Sequence, residues 1–302
     1  MAGSADSLKS ILYALAANFS IAVAKFVAAF VTGSGTMMAE GIHSLADCSN
    51  QVLLMFGLKQ AKKPPSPDYP LGFGRATYFW SFIVALILFS MGGLFSINEG
   101  LDKLSDPEPL KHPLVAVGVL VFGIFVEGGS LLGCMREVNK VRYGRSYWQW
   151  FRESRQSEFL VIFGEDLAAI LGMGLALVAI LVTMLTGNPI YDAFGSISIG
   201  ILLVVVAVMI GVEVKHLLIG QGVDPRVRDE IKAFIESQPE VDKVFNLLTM
   251  QLGSDIMLAV KAKMNQQGSQ DELIEAINRC EVNIKKEFPD VLWSFFEPDI
   301  RD

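Results

Sequence analysis

Apolar residues gather in six long runs before about residue 219, each close to the ~20 residues that cross a bilayer. They cover roughly Ser10–Thr32, Thr36–Leu58, Thr77–Gly100, Pro113–Met135, Glu158–Thr186 and Pro189–Ile219. Beyond Ile219 the apolar positions thin out and become periodic. Val227, Ile231, Phe234 and Ile235 recur at helical spacing after Pro225, which predicts a helix. Alternating stretches at Val241–Leu252 and Ile256–Met264 flank Gly253-Ser254 and predict two strands joined by a turn. A second helix is expected from about Ser269 to Glu287, then a strand over Val291–Glu297. The expected fold is therefore an α-helical membrane protein: a transmembrane domain of six helices over residues 1–219, then a small α+β domain of ferredoxin-like type over 220–302. About eighty residues make a marginal core, which favours dimerisation.

Composition agrees with a membrane chain: 52% of the 302 residues are hydrophobic and only 19% are charged. Lys59, Lys62, Lys63 and Arg75 follow the second run, and Arg136, Lys140, Arg142, Arg145, Arg152 and Arg155 surround the end of the fourth. The opposite connections hold almost no basic residue, so both termini are expected in the cytoplasm or its organellar equivalent. The segment Glu137–Gln156 interleaves Tyr, Trp and Phe with Arg, which reads as an interfacial anchor. Its position between two spans speaks against nucleic acid as a partner. Cys48, Cys134 and Cys280 have no paired ligand spacing and suggest no disulfide framework. No cleavable leader or transit peptide is evident, so a bacterial inner membrane is expected, with an organelle membrane as the alternative.

Charge inside the apolar runs is what carries chemistry, because ionisable groups in hydrocarbon mark ion or proton paths. In the second run Glu40, His43, Asp47 and Gln51 fall on one helical face. Glu127 lies within the fourth run, and Glu165 and Asp166 stand side by side in the fifth. Imidazole and carboxylates together hold zinc, and they also suit manganese, iron(II) or cobalt, since no thiolate selects a softer metal. Asn18 and Lys25 share a face of the first run. Glu40, Asn18 and Lys25 are read as supporting or proton-path groups, Lys25 chiefly as a counter-charge with Glu127 among its candidate partners. Adjacent helical residues diverge by ~100°, which separates Glu165 from Asp166. The glycines of GGSLLG, FGEDLAAILGMG and FGSISIG are expected to permit close helix packing.

The segments EGIHSLADC, YPLGFGRATYFWSF, TGNPIYDAFGSISIGILL and the terminal Glu297-Pro298 resemble the cation diffusion facilitators over nearly the whole chain. The GED fifth run, the TGNP-x-YD connection and VKAKM are similar to that family's zinc-transporter-nine-like branch. The resemblance implies a homodimeric, proton-coupled exporter of divalent cations in the lipid bilayer. Its transport site would fall on His43, Asp47, Ile162 and Asp166. Ile162 supplies no ligand, and Glu165, Glu127 or water would stand in. Arg75 matches a basic position that pairs across the dimer in relatives, with Asp224 its candidate partner here. Phe295 stands where a histidine is common, and the chain's last histidine is His216, so the tail is expected to lack metal-sensing sites.

These readings predict antiport of zinc, or of manganese, iron(II) or cobalt, out of the cytoplasm, with protons as counter-ion and no prosthetic group. Loading a neutral imidazole and carboxylates with metal expels protons. A non-transporting scaffold with a degenerate site is the rival that Ile162 raises, and a passive channel is a third reading. An intramembrane metalloenzyme would show HExxH or a similar base-bearing motif, which the chain lacks.

Overall fold

A computed structural model describes residues 3–265 and 268–301, with the side chains of 3–14, 16 and 17 outside the description. The chain forms two compact units, one of residues 1–56, 80–148 and 158–214, the other of 57–79, 149–157 and 215–302.

Long helices dominate the first part of the chain: α1 (Gly3–Thr32), α2 (Gly35–Ala61), α3 (Ala76–Ile87), α4 (Phe95–Ser105), α5 (Pro113–Val141), the short α6 (Tyr147–Glu153), α7 (Ser157–Thr186) and α8 (Ile190–Ile219). A π-helical stretch, Leu88–Leu94, joins α3 to α4 into one rod. Among the described residues, four rods are long and apolar enough to cross a membrane: Ala76–Ser105, Pro113–Val141, Ser157–Thr186 and Ile190–Ile219. The described apolar stretch of α1 is Asn18–Thr32. In α2 a buried stripe of Glu40, His43, Ser44 and Asn50 dilutes the apolar character.

Two devices fix the helices of the first unit. Asp192, at the start of α8, caps the N-terminus of α2: Gly35 N–H donates to it at 2.6 Å, Ser34 Oγ at 2.6 Å and Thr36 Oγ1 at 2.7 Å. An acidic group placed there satisfies free amides and meets the positive end of the helix. Close helix packing is the second. A Cβ on Gly200 would lie 2.7 Å from the Gly93 carbonyl oxygen, and one on Gly100 would lie 2.5 Å from Ile197. Within FGSISIG, Gly195 is as tight, against Thr36 and Ala179. In FGEDLAAILGMG, Gly164 packs on Ile210 and Gly172 on Glu40, whereas a Cβ on Gly174 would meet nothing within 4 Å. The expectation fails for GGSLLG: Gly128, Gly129 and Gly133 also face open space, because α5 turns that side outward.

The second unit holds α9 (Pro225–Glu236), β1 (Val241–Leu252), β2 (Asp255–Met264), α10 (Gln270–Glu287) and β3 (Val291–Pro298). Its sheet has the order β1-β2-β3, the first pair antiparallel and the second parallel. Asp224 caps α9 through the Arg226 amide at 3.0 Å, and Ser269 caps α10 through Glu272 at 3.2 Å. One face of the sheet packs with the helices around Ile231, Ile235, Leu258, Val260, Cys280 and Ile284. The other carries a row formed by Leu248, Ala259 and Phe295, of which Leu248 and Phe295 are exposed.

Segments remote in sequence are built into this unit. The Gly253 amide donates to Tyr78 Oη at 2.8 Å, and a Cβ on Gly74 would overlap the Leu252 carbonyl. Gly253, at φ +70°, makes the turn that allows this approach. Arg155 Nε donates to the Gly222 carbonyl at 2.7 Å. The interfacial-anchor reading of 137–156 is narrowed here: Trp150 and Phe151 are buried, whereas Tyr143 and Trp148 are exposed. Helical spacing in α6 turns Trp150 and Phe151 inward.

Candidate metal centre

Along α2, Glu40, His43 and Asn50 are fully buried, and Asp47 keeps 15% of its side chain exposed. Glu40 Oε1, His43 Nδ1 and Nε2, Asp47 Oδ1 and Asn50 Oδ1 have no hydrogen-bond partner among the described residues. His43 Nδ1 stands 3.5 Å from Asp47 Oδ1, without hydrogen-bond alignment. These orphaned groups follow one side of the helix for ~15 Å. Buried polar atoms are normally paired, so a file of unpaired ones marks a path or a binding site. The fourth member of the stripe is Asn50, fully buried, and not Gln51, which is half-buried. Contact, not angular position, separates the two: Asn50 meets Glu165 on α7.

Lys25, on α1, is fully buried and donates to Glu40 Oε2 at 2.9 Å and to Ser44 Oγ at 2.8 Å. Its partner is thus Glu40 and not Glu127, which corrects the candidate pairing. A buried ammonium requires such a charge and hydrogen-bond shell. Asn18, further up α1, is half-buried.

The adjacent acids of α7 diverge. Glu165 is buried and accepts from Asn50 Nδ2 on α2 at 2.5 Å. Asp166 accepts from Ser130 Oγ on α5 at 3.0 Å. Glu127, one turn before Ser130, is buried. Asp47 lies within coulombic reach of Glu165, Glu127, Asp166 and Lys25. Ile162 is half-buried. The side chains are neighbours without being a closed shell: among the described residues no three His, Cys, Asp or Glu groups are gathered closely enough to hold an ion. Sequence reasoning missed Asn50, Ser130 and Ser44. Their signal was only a helical offset from acidic or cationic neighbours.

In the second unit, Arg75 turns its guanidinium to the Met250 sulfur, and its buried Nε has no partner among the described residues. Asp224 serves as the α9 cap.

Residues 11–219 match the cation efflux transmembrane domain. The chain belongs to the cation efflux family. This cation efflux chain is similar to the mouse "Proton-coupled zinc antiporter SLC30A9, mitochondrial", 33% identical over 247 residues, 81% of this chain and 44% of the relative. It is 30% identical to Arabidopsis thaliana "Metal tolerance protein C4" over 249 residues, 82% of this chain and 54% of the relative. Over 298 residues it is 22% identical to the "Manganese efflux system protein MneP" of Bacillus subtilis, covering 94% of this chain and 93% of that one. It falls in the SLC30A9-like branch and spans less than half the length of the mouse relative it matches. The family is one of transporters, not of enzymes.

Proposed function

We propose that this chain is a proton-coupled antiporter of divalent metal, zinc first, moving the ion out of the cytoplasm across a membrane that bears a proton gradient. The observation that carries the reading is the stripe of buried, unpaired polar atoms on α2, facing the acids of α5 and α7. His43 and Asp47 form its nitrogen-bearing end, with Asp166, Glu165 and Glu127 as further carboxylates. Glu40 and Lys25 close one end as a neutralised pair, with Asn18 on α1 as a further supporting group of the proton path. Zinc is the metal in the printed names of the SLC30A9 relatives, and manganese in that of MneP. Manganese, iron(II) and cobalt remain the alternative cargo that the oxygen donors would accept.

The finer architecture belongs to the same proposal. Six spans would include α1 and α2, with residues 1–219 as the membrane domain and 220–302 as a ferredoxin-like cytoplasmic domain. Two copies would pair, Arg75 meeting Asp224 of the other. The unpaired Arg75 Nε supports a partner from outside the protomer. Both termini would face the cytoplasmic or matrix side of a bacterial inner or mitochondrial membrane. The mechanism needs neutral imidazole and ionised carboxylates on loading, and protonation from the acidic side on release.

The test is metal uptake into proteoliposomes with and without an imposed pH gradient, zinc against manganese, iron(II) and cobalt. Gradient-dependent flux that falls by about two orders of magnitude in Asp47→Ala and in Asp166→Ala is expected for loss of a metal ligand. Equal flux in these variants would sink the site assignment. The scaffold reading is favoured by Ile162 and by the open arrangement of the donors, and no flux with any metal would establish it.

A further inference from the structure

Asn50 lies outside the ligand positions that the family resemblance carries onto this chain, yet it presents an unpaired neutral oxygen beside Glu165. It is fully buried. Its amide nitrogen is spent on Glu165 Oε1, while its carbonyl oxygen has no partner among the described residues. An amide that served only to pin Glu165 would leave a buried acceptor unpaid in every state of the protein, which is costly. One turn earlier on the same face, Asp47 Oδ1 is unpaired as well. Glu165 is among the acids near Asp47. Asp166, by contrast, is turned to Ser130 on α5.

We propose that Asn50, two helical turns along α2 from His43, is a cation ligand, its amide oxygen joining the carboxylates of Asp47 and Glu165 in an all-oxygen station for a divalent metal. The station deepens the transport reading and rests on it for its role as a stop on the path. The amide does what an apolar residue would not do there. Its NH2 group holds Glu165 over α2, and its carbonyl is left free as a hard donor. Carboxylate and carbonyl oxygens suit manganese and similar hard ions, whereas imidazole suits zinc. The path thus has two ends of different character: a nitrogen-bearing end at His43 and an oxygen-only end at Asn50. The oxygen end also answers the loss of a ligand at Ile162, because Glu165 stands one turn from it on α7 and reaches α2 through Asn50.

The experiment measures binding on the purified full-length chain, Mn(II) by electron paramagnetic resonance titration and zinc by competition with a chromophoric chelator. Asn50→Leu keeps the volume and removes the oxygen, Asn50→Asp keeps an oxygen, and Glu165→Gln removes the facing charge. Mn(II) affinity is expected to fall about tenfold or more in Asn50→Leu and in Glu165→Gln, with zinc changed less than about threefold, and to stay near wild type in Asn50→Asp. Mn(II) affinity unchanged in Asn50→Leu overturns the assignment. So does an equal loss of both metals in Asn50→Leu and Asn50→Asp, the mark of a structural residue, and so does a wild-type chain that binds no Mn(II). If Asn50 governs Mn(II) binding but vesicles move no metal, transport falls and the binding station stands.

Discussion

The Lys25–Glu40 pair shows what one ionised side chain demands of its surroundings. Both groups are withdrawn fully from solvent, and Ser44 supplies a further acceptor to the ammonium. Removing one partner leaves an uncompensated charge, which costs ~3–5 kcal/mol in buried pairs, while replacing both by neutral groups costs far less. Lys25→Met is therefore expected to lower the thermal midpoint of the detergent-purified protein steeply, and Lys25→Met with Glu40→Gln to recover most of the loss. Equal midpoints for the single and the double variant would show that the pair contributes no mutual stabilisation. The ionisable residues of the site stood out in the sequence because charge in an apolar run is conspicuous. Asn50 and Ser130 did not, since a lone amide or hydroxyl in a span usually bonds to backbone or to a neighbouring helix. Their role depends on which acid of α7 turns which way, and that is decided by helix rotation and not by residue type.

At the scale of elements, the sheet unit was legible almost to the residue. Alternation and the Gly253-Ser254 turn gave β1 and β2, and Ser269 before an acidic first turn gave the start of α10. The long helices were equally plain, although α5 runs six residues past Met135 to Val141. The π stretch at Leu88–Leu94 was not legible, because a wider turn changes backbone pairing without changing the apolar run. Nor were the individual glycine contacts, since a glycine in a span looks alike whether it meets a neighbour or open space. That difference is measurable. Gly200→Ala forces a methyl against the backbone of the π stretch and α4 and is expected to cost ~1–3 kcal/mol, as overpacking does. Gly133→Ala has nothing to meet and gains helix propensity, up to ~1 kcal/mol. Thermal midpoints should move in opposite directions, and a like shift in both would refute the packing account.

For the molecule as a whole, the consequential feature is that the unit around the sheet is assembled from three separate stretches, 57–79, 149–157 and 215–302. The Gly74 approach to Leu252 and the Tyr78 bond to Gly253 tie the α2–α3 connection to the β1–β2 turn. Gly74→Ala is expected to push these strands of chain apart and to speed amide hydrogen exchange across residues 251–255. Tyr78→Phe removes a single hydrogen bond worth ~1 kcal/mol and should give a smaller acceleration at Gly253 alone. Unchanged exchange in Gly74→Ala would show that the connection is not held there.

The same three-part construction sets an order of events during synthesis. The stretch around Gly74 leaves the ribosome long before the strand that receives it, so it must wait while the later helices are threaded and about 180 residues more are made. Completion of β1 and the turn after it would then act as the checkpoint of assembly, and a nascent chain halted before Val241 would carry its membrane helices with this joint still open.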